Sequence, residues 1–88
     1  MDLARTIHAR LAALEPERVE LLDESGRHAG HEGAKDGGSH FRLTIVSRRF
    51  AGLDRIARHR LVYGALGALV PGKIHALAIT AHTPEEAR

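Results

Sequence analysis

Apolar positions along this chain change their period several times, and each change predicts an element. Leu3, Ile7, Leu11 and Leu14 recur at i, i+4, i+8 and i+11, one stripe of an amphipathic helix, with Arg5, His8 and Arg10 turned away from it. Pro16 pushes Glu15 out of the α region, so this helix is expected to end there. Arg18 to Asp23 alternates loosely and predicts a strand; Phe41, Leu43 and Ile45 alternate firmly with Arg42 and Thr44 and predict a second. Between them, Gly26, Gly30, Gly33, Gly37 and Gly38 punctuate residues 25–38, which show no period. That connection is long for a hairpin, and loops of such length are usually functional or disordered. After Gly52, Leu53 to Ala57 predicts a short helix. Arg58 to about Leu69 predicts a longer one, with Val62, Leu66 and Leu69 inward and Pro71-Gly72 as its stop. Lys73 to Ala81 predicts the last strand, and Thr83-Pro84-Glu85-Glu86 a final turn that Thr83 can cap.

The resulting order, α-β-β-α-α-β, is that of an α+β fold. A hairpin followed by a helical crossover to a third strand predicts a three-stranded mixed sheet with helices on one face. Residues 1–88 show no repeat or linker and are expected to form a single small domain. Eighty-eight residues lie near the lower limit for a self-sufficient core, and with only Phe41, Phe50 and Tyr63 as aromatics that core must be aliphatic. There is no cysteine, which excludes disulfides, thiolate catalysis and a self-contained cysteine-ligated cluster. Asp2 stands where a signal peptide needs a basic start, and the run Leu61 to Val70 is half of the roughly 20 residues that cross a bilayer. A cytoplasmic protein without a membrane partner is the expectation. A net charge of +2 does not by itself imply a polyanionic partner, so the clustering of arginines carries more information than their sum.

Seven histidines are a surplus in so short a chain. His75 interrupts an apolar strand beside Leu77 and Ile79, where it reads either as a strand-end histidine bonded to a carbonyl or as a metal ligand on a rigid base. His28 and His31 form His-Ala-Gly-His in the glycine-rich loop, a weak metal signal by spacing alone and compatible with simple zinc binding; His40 opens the second strand. Arg55, Arg58, His59 and Arg60 surround the junction of the two predicted helices, with Arg48 and Arg49 near in sequence. Individually these are ordinary solvated cations; together they could form a ridge that meets phosphates or a protein partner. No Gly-x-x-Gly clamp and no aromatic pair for stacking bases accompanies them. Gly67 to Lys73 matches the start of a phosphate-binding loop, but Ile74 replaces the Ser/Thr and the order is helix-loop-strand, so the match is rejected. Ser25, Ser39 and Ser47 lie in no nucleophile-elbow sequence, and a non-enzymatic protein is expected.

Five separated motifs, Ser39-His40-Phe41, Ile45-Val46-Ser47, Phe50-Ala51-Gly52, Arg58-His59-Arg60-Leu61-Val62-Tyr63 and Ile74-His75-Ala76-Leu77, followed by Thr83-Pro84-Glu85-Glu86, closely resemble the signature of the BolA family in order. The resemblance implies a class II KH-like (BolA-like) fold. It implies an adaptor that pairs with a monothiol glutaredoxin carrying glutathione and shares a bridging [2Fe-2S] cluster, in iron–sulfur assembly or trafficking and in iron or stress regulation. His75 would be the fixed metal ligand, and a loop histidine, His31 by preference or His28, the second. Two imidazoles cannot complete such a cluster, so the remaining ligands must come from outside. A DNA-binding transcription regulator using Arg55, Arg58, His59 and Arg60 is the alternative, and a weak homodimer is a further association. One departure stands out: Ala87 occupies the place of an aromatic usual after Thr-Pro-x-Glu, which predicts a C-terminal turn that frays.

Overall fold

The structure is a computed structural model that describes residues 3–24 and 39–88. The first apolar stripe forms helix α1 (Leu3–Leu11), continued by a 3-10 turn over Ala12–Leu14. Its end is set by Glu15, which takes a left-handed φ of 51° immediately before Pro16. Strands β1 (Arg18–Asp23) and β2 (His40–Val46) pair antiparallel, with Leu21 opposite Leu43. Strand β3 (Ala76–His82) pairs parallel to β2, with Leu43 opposite Ile79, giving the mixed sheet order β1-β2-β3. The α+β class and the three-stranded mixed sheet are therefore as the hydrophobic pattern predicts.

Side chains on β2 show why the sheet has two unlike faces. Phe41, Leu43 and Ile45 are buried, whereas Arg42 is exposed, the period-two consequence of covering one face only. Ile7, Leu11 and Leu14 from α1 and its turn join them in one aliphatic cluster with Phe50, Val62, Leu66 and Ile74. Ser47, fully buried, staples this layer: its hydroxyl donates to the Leu14 carbonyl at 2.7 Å and accepts from the Arg49 amide at 3.1 Å.

The crossover differs from expectation. Instead of a short helix and a long one meeting at Arg58, a 3-10 turn at Arg48–Phe50 precedes a single helix α2 (Arg55–Leu66). Asp54 is the reason: its carboxylate accepts from the Ala57 amide at 2.8 Å, capping the helix start, and nothing at Arg58 interrupts the run. Helix α2 stops at Gly67, not at Pro71, because Gly67 adopts φ 57° and ψ −134°, a backbone region open in practice to glycine alone. A short turn, α3 (Leu69–Gly72), follows, and β3 begins at Ala76 because the Lys73 and Ile74 amides bond back to the Leu69 carbonyl at 2.8 and 2.7 Å.

Candidate functional site

Ile74 is completely buried and acts as the peg that sets the start of β3. The amides of His75 and Ala76 both donate to the Ser39 carbonyl, at 2.8 and 3.0 Å, so the backbone of His75 is pinned to the start of β2. Its imidazole is exposed, just outside the strand. The ring of His40 lies beside it, centroids 5.6 Å apart and planes tilted by 44°. This neighbour was not evident in the sequence, because the contact depends on the register that sets His40 opposite Ala76. His28 and His31 lie outside the described residues. Among the described residues no three His, Asp or Glu side chains gather closely enough to hold a metal ion. With two imidazoles side by side and no thiolate in the chain, this end suits a centre whose sulfur ligands are supplied from elsewhere.

The cations at the start of α2 divide into two groups. Arg55, Arg58 and His59, spaced i, i+3 and i+4, face a groove of about 530 Å³ between α2 and β3, which Ile79, His82 and Glu86 also line. Arg60 lies outside that lining, on an exposed strip of the helix that includes Ile56, 64% exposed. Arg58 differs from the other three. Its Nε donates to the Leu53 carbonyl at 2.8 Å, one Nη to the Ala81 carbonyl at 3.0 Å, and both Nη groups to the Glu86 carboxylate at 2.5 and 3.0 Å. The guanidinium is thus occupied within the protein, tying together the loop before α2, the end of β3 and the C-terminal turn. Glu86 completes a capping box, accepting from the Thr83 amide at 2.9 Å while its own amide donates to Thr83 Oγ1 at 3.3 Å. The Arg58 hydrogen bond, followed by the one from the Thr83 amide, lowers the Glu86 pKa to about 2, and the same contact raises that of Arg58. The turn that Ala87 was expected to leave fraying is closed by these bonds and by the Ala87 amide, which donates to the Thr83 carbonyl at 3.1 Å.

Arg48 and Arg49 point elsewhere. Arg48 pairs with Glu17 at 3.0 Å and Arg49 with Glu15 at 2.7 Å, which places their charge beside the approach to β1. Arg18 pairs with Glu20, and Arg42 with Glu24 at 3.3 Å. Arg55, His59 and Arg60, by contrast, form no ion pair among the described residues.

Comparison with known proteins sets these features in a lineage. A family model described as BolA-like protein matches residues 11–86. BolA-like protein 1 of Homo sapiens is 50% identical over 76 residues, covering 86% of this chain and 53% of that protein. The DNA-binding transcriptional regulator BolA of Vibrio cholerae is 44% identical over 72 residues, covering 82% of this chain and 65% of that protein. The chain thus spans about half the length of the mammalian relatives it matches. The solved structure of BolA1 from Arabidopsis thaliana superposes with a TM-score of 0.84 at 37% identity, covering 100% of this chain and 98% of that one.

Proposed function

The chain belongs to the BolA-like family, and from that premise we propose that it is a non-enzymatic adaptor that pairs with a monothiol glutaredoxin and co-ligates a bridging [2Fe-2S] cluster. The observation that supports this reading is the exposed imidazole of His75 on a backbone pinned at both strands, in a chain without a single thiolate. Such a chain contributes nitrogen and depends on a partner, with its glutathione, for sulfur. When bound, the cluster supplies the sulfide and the electron-accepting iron that a recipient protein takes up. The work of this chain is to hold His75 at a fixed place, with Ile74 and the Ser39 carbonyl preventing its retreat, and to bring a second imidazole, His31 or His28, from the loop. Neutral imidazole is the ligating form, and its other ring nitrogen is available for an orienting hydrogen bond. The role in iron–sulfur assembly or trafficking, in iron and stress regulation, and a cytoplasmic setting belong to the same proposal. Among the described residues no helix is long and apolar enough to cross a membrane.

Anaerobic reconstitution tests it. Visible cluster absorption is expected only when this chain, a monothiol glutaredoxin and glutathione are mixed, with a nitrogen-ligation signature in pulsed electron paramagnetic resonance of the reduced centre. His75→Ala, which removes one of the two imidazole ligands, is expected to change both the absorption and that signature. A variant that still forms the mixed complex with unaltered absorption and resonance would overturn the assignment.

A second reading, DNA binding by the start of α2, is favoured by Arg55, His59 and Arg60 being free of carboxylates among the described residues, and by the printed name of the Vibrio cholerae relative. Phosphate contacts would show as a linear fall of log affinity with log salt, with a slope of about −0.9 for each contact. Arg58, already saturated by Glu86 and two carbonyls, is not expected to contribute to that slope.

A further inference from the structure

The outer edge of β3 offers backbone groups that the described residues leave unpaired. The Ala76 amide donates to Ser39 and the His82 carbonyl accepts from the Ser47 amide, so the even-numbered residues of β3 turn their N–H and C=O toward β2. In a parallel ladder the alternate residues then face away. Those are Leu77, Ile79 and Ala81, and only Ala81 has its carbonyl capped, by Arg58. The core also thins at this edge. Leu43 and Ile45 of β2 are fully buried, while Leu77 and Ile79, on the same face, remain half-buried. The groove beside this edge carries Arg55 and His59, neither compensated by a carboxylate among the described residues. The opposite edge is different: around β1 the arginines are paired with glutamates.

We propose that the β3 edge and its groove form a docking site for an acidic segment of another protein. The segment binds in extended form as a fourth strand along Leu77 and Ile79, with its carboxylates toward Arg55 and His59. Main-chain bonds to an exposed sheet edge supply register, and the charges supply choice of partner. Arg58 marks the end of the register, because the Ala81 carbonyl it holds is not open to a further strand. The open amides begin at Leu77, about 7 Å along the strand from His75 at 3.3 Å per residue, and the groove with Arg55 and His59 adjoins the far end of β3, from Ile79 to His82. The His75 imidazole takes no part in these main-chain and charge contacts. The inference goes beyond the cluster-sharing reading and does not depend on it.

The test uses the whole chain without metal and a fluorescent peptide of about eight residues, a usual strand length, alternating glutamate with valine and threonine. Anisotropy is expected to show saturable binding, and amide exchange to show new protection at Leu77 and Ile79. Placing carboxylates at both positions, Arg55→Glu with His59→Glu, is expected to weaken binding about tenfold or more, as loss of the favourable contacts and creation of two repulsions predicts. A peptide of the same sequence N-methylated at alternate amides is expected not to bind, which separates strand addition from charge attraction without any variant of the protein. His75→Ala is expected to bind the peptide with unchanged affinity. Equal binding of the methylated peptide, loss of binding in His75→Ala, or duplex DNA displacing the peptide and protecting the same two amides would each overturn the proposal.

Discussion

Arg58 shows how far a residue's role depends on what reaches it. In sequence it is one of several cations near Arg-His-Arg; in the fold, Glu86, 28 residues away, neutralises it and Leu53 and Ala81 absorb its remaining donors. The spacing Thr83-x-x-Glu86 displays a capping box to any reader of the sequence. That the same carboxylate would also bind Arg58 could not be read, since the contact requires α2 and the end of β3 to be placed side by side. The pair gives a pH dependence whose sign is set by Glu86. Its carboxylate has a pKa of about 2 when folded and an ordinary value near 4.5 otherwise. The folded state therefore gains stability from Glu86 above the ordinary carboxylate range, and loses it as pH falls from about 4.5 to about 2. Glu86→Gln should unfold at lower urea than the parent at neutral pH, and the two midpoints should converge on acidification through that window. Ser47 allows a second test at this scale. Its hydroxyl is buried and bonds both the Leu14 carbonyl and the Arg49 amide. Ser47→Ala leaves both without that partner and should cost about 1–3 kcal/mol in equilibrium unfolding.

Elements were readable where a single period ran unbroken. The alternation of Phe41, Leu43 and Ile45 against Arg42 and Thr44 predicts β2 and its covered face, and the stripe Leu3, Ile7, Leu11 predicts α1. Boundaries were harder, since they depend on single residues acting as caps. Asp54 caps α2 through Ala57, and Gly67 ends it, so the division expected at Arg58 and the stop expected at Pro71 both move. The two glycines near that end make opposite predictions. Gly67 has a φ of 57°, and an added Cβ would also sit 3.4 Å from an Arg10 guanidinium nitrogen. Gly67→Ala should destabilise by about 1–3 kcal/mol. Gly64, within α2, has open space where a Cβ would stand, and Gly64→Ala should stabilise by about 0.5–1 kcal/mol through the better helix propensity of alanine. Urea melts of the two variants side by side check both signs.

At the scale of the whole molecule, β3 holds two unlike features apart: an exposed imidazole before Ala76 and a groove lined by Arg55 and His59 toward His82. His75 was recognisable from its motif, whereas the groove was not, because Ile79, His82 and Glu86 join Arg55 and His59 only once the crossover has returned the chain to the sheet. An imidazole there for packing would be missed on removal; this one is exposed, so His75→Ala should shift unfolding by no more than about 0.5 kcal/mol, measured by thermal melting of the metal-free chain. The parallel pairing of β2 with β3 has a further consequence during synthesis. As the chain leaves the ribosome, β2 emerges well before its parallel neighbour, and Phe41, Leu43 and Ile45 wait with one flank uncovered. Until Glu86 has cleared the exit tunnel and met Arg58, the nascent domain presents a raw strand edge to its surroundings. Chaperone capture of stalled nascent chains should therefore fall sharply once that glutamate is released.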